Sequence, residues 1–192
     1  MAILGLTTNR EPSFPRIGVL RKGGEKSEKR PGADLKYFRF DTEDATAKSD
    51  FAAAYGEEPT TINVYLAYPT PDENFQAWQE DYAAGGMVHR CDGVTMTMWQ
   101  GPDGKYHSEP KACPYHTGEK KRTTKEPGCK AVGRLTVIIP ELRRFAYVTV
   151  GTGSLNDIME LTDNLNAVYA MRGNLQGVPF ILCRRPRFIS TP

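Results

Sequence analysis

The sequence predicts an α+β fold: a mixed or mainly antiparallel sheet with about three helices and a zinc-stapled loop. Three observations carry that expectation. Several strand-like apolar runs are punctuated by glycine and proline, and the helical patterns between them lack the constant crossover rhythm of a βαβ series. In addition, three of the four cysteines and a histidine gather in the middle of the chain. At 192 residues the chain can bury a real core, so metal or disulfides are optional for its stability as a whole.

Residues 1–34 read as an extended basic arm, rich in proline, glycine and charge, with only Ile17–Leu20 as a strand-like island. A single α+β domain is expected over 35–192, with an embedded metal-binding loop at 91–130. Leu35, Tyr37, Phe38 and Phe40 suit a strand. Thr42 can cap a helix carrying Ala45, Phe51, Ala52 and Tyr55 and ending at Gly56. TINVYLAY at 61–68 is a clear strand, stopped by Pro69 and Pro71. The next run, FQAWQEDYAA, places Phe75, Trp78 and Tyr82 at three- and four-residue spacing, which predicts a helix ended by Gly85 and Gly86. VTMTMW alternates as a strand, and Pro102-Asp103-Gly104 turns it back. A polar loop from Glu109 to Gly128 leads to strands over Arg134–Ile139 and Phe145–Val150. Ser154 and Asp157 then form a capping box for a helix with Leu155, Ile158, Leu161, Leu165 and Val168 on an apolar face. A last strand follows in VPFILCRRPRFI.

The metal set expected from the sequence is Cys91, Cys113, His116 and Cys129. Cys113-Pro-Tyr-His116 can grip an ion from a tight knuckle, and Cys91 and Cys129 would close the tetrahedron from flanking strands. Three thiolates and an imidazole fill every position of a structural Zn2+ site and leave none open to activate water. Separate buried or free thiols are the alternative, since no CxxC pair is present. His89 can approach from the side of Cys91, but ranks below His116: on one strand face the two sit about 6–7 Å apart. Cys183 is left over and expected to pack in the last strand.

Several catalytic signatures fail. His107-Ser108-Glu109 imitates half of a zinc deaminase motif without the P-C-x-x-C element that supplies its other thiolates. Gly151-Thr-Gly153-Ser lacks the Lys-Ser/Thr of a P-loop and the third glycine of a dinucleotide fingerprint, so it reads as a tight strand-to-helix turn. His116-Thr-Gly-Glu-Lys120 resembles a zinc-finger linker, but the paired cysteines and repeats of such fingers are missing.

The net charge of +2 conceals an asymmetry: nine Lys/Arg against four Asp/Glu in 1–40, two against ten in 41–90, and fourteen against nine in 91–192. Different surfaces therefore face different partners. Lys120, Lys121, Arg122 and Lys125 on the stapled loop, with Arg184, Arg185 and Arg187 near the end, are the candidates for nucleic-acid contact; solvated loops are the plain alternative. MAILGL does not resemble a signal peptide, and no stretch reaches the roughly 18 apolar residues needed to span a bilayer. A cytosolic address is expected, where cysteines speak for metal more than for disulfides.

The opening MAILGL, FRF at 38–40, CDG at 91–93, RLTVIIPEL at 134–142 and the following YVTVGTGS together resemble the phage recombination directionality factors, accessory proteins of large serine integrases. That resemblance spans most of the chain. It implies a non-enzymatic protein of a phage or mobile element, in the cytoplasm of a bacterial host, that binds its integrase on attachment-site DNA and favours excision. A zinc-containing protein that binds single- or double-stranded nucleic acid directly, and a mobile-element protein that binds a host factor, are the competing expectations.

Overall fold

A computed structural model describes residues 14–25, 32–123 and 128–185. The chain divides into two compact units. One comprises Met1–Tyr65, Val137–Thr149 and Pro179–Pro192; the other comprises Leu66–Thr136 and Val150–Val178.

In the first unit, β1 (Arg16–Gly23) pairs antiparallel with β2 (Asp34–Asp41). Part of the expected arm is thus ordered strand, with Leu20 fully buried; residues 1–13 and 26–31 of it lie outside the described residues. The helix α1 (Ala45–Tyr55) begins two residues later than its sequence signal. Asp44 is its N-cap and accepts from the Ala47 N–H at 2.9 Å, while Thr42 donates to the Ile17 carbonyl at 2.6 Å. Gly56 ends α1 as expected. β3 (Thr61–Leu66) alternates cleanly, burying Ile62, Val64 and Leu66, and pairs antiparallel with β11 (Pro179–Cys183). Phe38, Phe40, Ala47, Phe51, Val137, Ile139, Leu142 and Val148 complete this core, each large side chain contributing about 1.5–3 kcal/mol of burial.

The second unit contains the largest departure from the sequence reading. FQAWQEDYAA is not a helix but β4 (Phe75–Ala83). The residues just ahead of it do start a helix, but only a single turn, α2 (Pro71–Asn74), whose capping box pairs Thr70 with Glu73. Asn74 then ends the turn: its buried amide donates to the Tyr68 and Thr70 carbonyls and accepts from the Tyr68 N–H. Beyond it, β4 is paired on both edges, by β5 (Gly86–Cys91) and by β9 (Lys130–Ile138), both antiparallel. Two flanking ladders and three aromatic β-formers outweigh the helical spacing.

β6 (Thr95–Gln100) pairs with β5 and carries both β7 (Tyr106–His107) and β8 (Lys111–Ala112). A one-turn helix, α3 (Pro114–Thr117), follows. β10 (Tyr147–Thr152) leads into α4 (Leu155–Arg172), where Ser154 accepts from the Asp157 N–H as anticipated. The Thr152 hydroxyl donates to the Asp157 carboxylate at 3.0 Å, so the turn is satisfied by its own acid. A side chain at Gly133 would meet the Phe75 ring at 2.8 Å and Ile158 at 3.0 Å, which is how closely α4 approaches the sheet. Four α-helical segments are described, of which only α1 and α4 exceed one turn. No helix of the described residues is long and apolar enough to cross a membrane.

Candidate metal centre

The β4–β5 register decides what each sheet face carries. Glu80 stands opposite Arg90 and Asp81 opposite His89. Successive side chains on a strand point to opposite faces, so the two pairs serve different surfaces.

On one face the fully buried Glu80 carboxylate binds two guanidiniums. Arg134 donates to both of its oxygens at 2.7 and 2.6 Å, Arg90 donates at 2.8 Å, and the Tyr82 hydroxyl donates at 2.8 Å. Burial alone would raise this carboxyl, but the bonds from Arg134, Tyr82 and Arg90 outweigh it and hold it below the ordinary glutamate range. The cluster ties β4, β5 and β9 together behind the metal candidate.

On the other face, His89 and Cys91 from β5 meet Cys113 and Cys129, and all four are buried. His89 Nε2 lies 3.1 Å from Cys129 Sγ and 3.7 Å from Cys113 Sγ. Cys129 Sγ is 3.8 Å from Cys113 Sγ and 3.9 Å from Cys91 Sγ, and the four ligand atoms all fall within 4.8 Å of one another. A tetrahedral zinc with Zn–S near 2.3 Å sets its sulfurs about 3.8 Å apart and its nitrogen about 3.6 Å from each sulfur. The two spacings from Cys129 match that tetrahedron and are far from disulfide length; all the cysteines are free thiols. Burial raises the Cys91 thiol, and burial reinforced by Cys91 and Cys113 pushes Cys129 well above the ordinary thiol range. Burial also lowers His89, which leaves a neutral imidazole. Such a set suits a divalent cation, whose charge makes thiolates favourable where burial alone opposes them.

Local sequence explains how the four converge. Cys91 runs into an Asx turn in which Asp92 Oδ1 accepts from the Val94 and Thr95 N–H groups. The Cys113 N–H donates to the Val94 carbonyl and Cys113 caps α3, with Pro114 in the first turn. Gly128 precedes Cys129 with φ +73° and lies so near the Tyr115 ring that a Cβ would sit 3.0 Å from it. Only glycine admits both the left-handed backbone and that approach. Tyr115 stacks on His89 at 6.1 Å between ring centres and donates to Asp81 Oδ2 at 3.4 Å, while Asp81 Oδ2 lies 3.8 Å from His89 Nδ1. A carboxylate behind the non-ligating nitrogen holds the ring with Nε2 toward the sulfurs.

The expected set is thus brought together in three of its four members. His116 is exposed at the C-terminal end of α3 and is not in the group; His89 takes the nitrogen position. The separation of residues 89 and 91 along a strand does not prevent this, because the long imidazole carries Nε2 toward the sulfurs. Asp81 is hidden by the helical reading of 75–84; as a strand, its alternation places Asp81 on the face of His89. Cys183 is exposed rather than packed.

Among the basic candidates, Lys120, Lys121 and Arg122 are exposed just after α3, with Lys120 Nζ 5.9 Å from the Tyr115 ring centre. Arg184 is engaged within the fold, bonded to Asp34 at 3.1 Å and to the Leu35 carbonyl, and Arg185 is exposed. Lys125 and Arg187 lie outside the described residues.

A family model described as Gp3-like, recombination directionality factor-like, matches residues 16–191. No curated protein and no solved structure gives a significant match.

Proposed function

The chain belongs to this recombination directionality factor-like family, and from that membership we propose that it is a non-enzymatic accessory protein. It binds a large serine integrase on attachment-site DNA and shifts site-specific recombination toward excision, in the cytoplasm of a bacterial host. The observation that supports this reading is the reach of the family match, 16–191, which takes in both compact units. An accessory protein changes an outcome only by binding one arrangement of the recombinase more tightly than another. Reversing a 1:99 distribution requires a preference of about 10⁴-fold.

Within this reading His89, Cys91, Cys113 and Cys129 hold Zn2+ in a closed, structural site. The ion ties the excursion between Cys91 and Cys129 to the sheet and leaves no position for substrate. The exposed run Lys120, Lys121 and Arg122 beside it favours a second role, contact with nucleic acid; Lys125 on the same loop, and separately Arg185 and Arg187, are further candidates. That contact should weaken steeply with salt, and neutralising the three should reduce the salt slope by about 3.

Purified integrase and paired excision substrates test the main reading. Recombination should rise on adding the chain, and the integrase should be captured by it without DNA. Absence of capture at low and moderate salt, together with unchanged recombination, overturns it.

A further inference from the structure

Strands β4, β5 and β6, with Lys130–Arg134 of β9, present two faces. α4 packs on the face of Phe75 and Gly133, which also carries the metal candidate. The register fixes what stands on the other. Val132 is opposite Trp78, Arg134 opposite Gln76, Lys130 and Arg90 opposite Glu80 from its two sides, and Met98 opposite Arg90. Directly opposed residues share a face. Side-chain contacts agree: the Arg90 guanidinium lies 5.9 Å from the Trp78 ring centre, and Arg134 and Tyr82 both reach Glu80.

An antiparallel sheet face turned to water ordinarily reads polar. This one holds Trp78, Val132, Met98, Arg90 and Arg134, all half-buried, within a border of exposed Gln76, Tyr82, Gln100 and Lys130. Aromatic, Met and Arg side chains at the centre of a polar rim are the composition of a protein-binding patch. Glu80 already holds both guanidiniums in place through bonds of 2.6–2.8 Å, which lowers the ordering cost of docking. Both keep an exposed part, 24 % of the Arg90 side chain and 35 % of Arg134.

Charge selects the occupant. Among the paired residues of this face Glu80 is the one acid, set against Arg90, Arg134 and Lys130, so two positive charges stay uncompensated. Two are few for a phosphate backbone, where steep salt-dependent binding comes from about 6–10 contacts. They suit one or two carboxylates on an otherwise apolar protein surface.

We propose that this sheet face docks an apolar, carboxylate-bearing patch of the recombinase, with Trp78 as the anchor and Arg90 and Arg134 pairing its acids. This rests on the accessory-protein reading above and gives it a surface. The test measures the affinity of the full chain for the cognate large serine integrase across a salt series. Trp78→Ala should weaken binding at least tenfold, since aromatic anchors dominate such interfaces. Gln76→Glu/Gln100→Glu, which cancels the spare charge at two exposed positions, should weaken it as much at low salt, with the gap closing as salt screens it. Met171→Ala, removing a side chain 78 % exposed on α4, should change nothing. If Trp78→Ala lowers the melting temperature, the double variant decides.

Both variants binding like the unaltered chain overturns the docking face and leaves the accessory reading intact. Tighter binding by the double variant indicates a basic partner and overturns it too. Single-stranded or duplex DNA that binds the chain without integrase, and loses that binding in Trp78→Ala, would assign the face to nucleic acid instead. An unaltered chain that fails to bind integrase removes the accessory reading and the docking face together.

Discussion

Replacing His89 with alanine and, separately, His116 with alanine distinguishes the two ligand sets that chemistry allows. A closed four-ligand zinc site is worth about 10–16 kcal/mol at neutral pH. One ligand's even share is therefore about 3 kcal/mol, or roughly a hundredfold or more in zinc affinity by the same constants. Because bound metal counts as folding free energy, the same loss should lower the melting temperature by about 6–12 °C for a chain of this size. His89 is 2 % exposed, so the vacated ring volume adds to the effect. His116 is exposed on the last turn of α3, and its replacement should stay within about 0.5 kcal/mol. The assay is zinc per chain by elemental analysis after dialysis against a graded chelator, paired with thermal melting. Metal lost from His116→Ala and kept by His89→Ala would refute the geometry, and full zinc retention in both would refute a nitrogen ligand altogether.

Asp81→Asn keeps all four ligands but weakens the carboxylate behind His89 Nδ1. Zinc affinity should fall about tenfold or more, seen as faster extraction by chelator with unchanged initial stoichiometry. Glu80 gives a pH dependence of definite sign. Its folded carboxyl lies below the ordinary glutamate range, so its contribution is complete above the unfolded value, about 4.3, and is lost as pH falls through the lower folded value. Denaturant midpoints should therefore drop in acid more for the unaltered chain than for Glu80→Gln, and equal acid sensitivity would count against the cluster. At neutral pH Glu80→Gln should itself be less stable by roughly 2–3 kcal/mol, below the full cost of breaking a buried pair because both arginines retain some exposure.

The parts of the fold legible in the sequence are those governed by one local rule. TINVYL alternates because one face of β3 is buried, and Ser154 with Asp157 caps α4 because orphan N–H groups demand it. FQAWQEDYAA misleads because its aromatics satisfy the helical period, whereas in the strand Phe75 falls on the face opposite Trp78 and Tyr82. The choice was made by Arg90 and Arg134, ten and fifty-four residues away, which neutralise a buried Glu80 only when 75–83 is extended. The same long-range pairing places His89 among the three thiols. The thiols were visible as soft ligands, whereas selecting His89 over His116 required knowing that α3 ends after a single turn with His116 outward. Most of the basic surface was legible as charge alone, and Arg184 shows the limit of that: its partner Asp34 lies 150 residues earlier.

Cys129 stands immediately before Lys130, the first residue of β9, and β9 runs from one compact unit into the other. A ligand fixed at that point acts as the zero mark of a ruler. Sliding the strand by one residue would withdraw the sulfur by about 3.3 Å and exchange inside for outside along its whole length, sending Arg134 inward and Leu135 out. A metal bound at Cys129 would thereby hold the alignment of β9, and chelation should show itself as misalignment of β9 before any general loss of secondary structure.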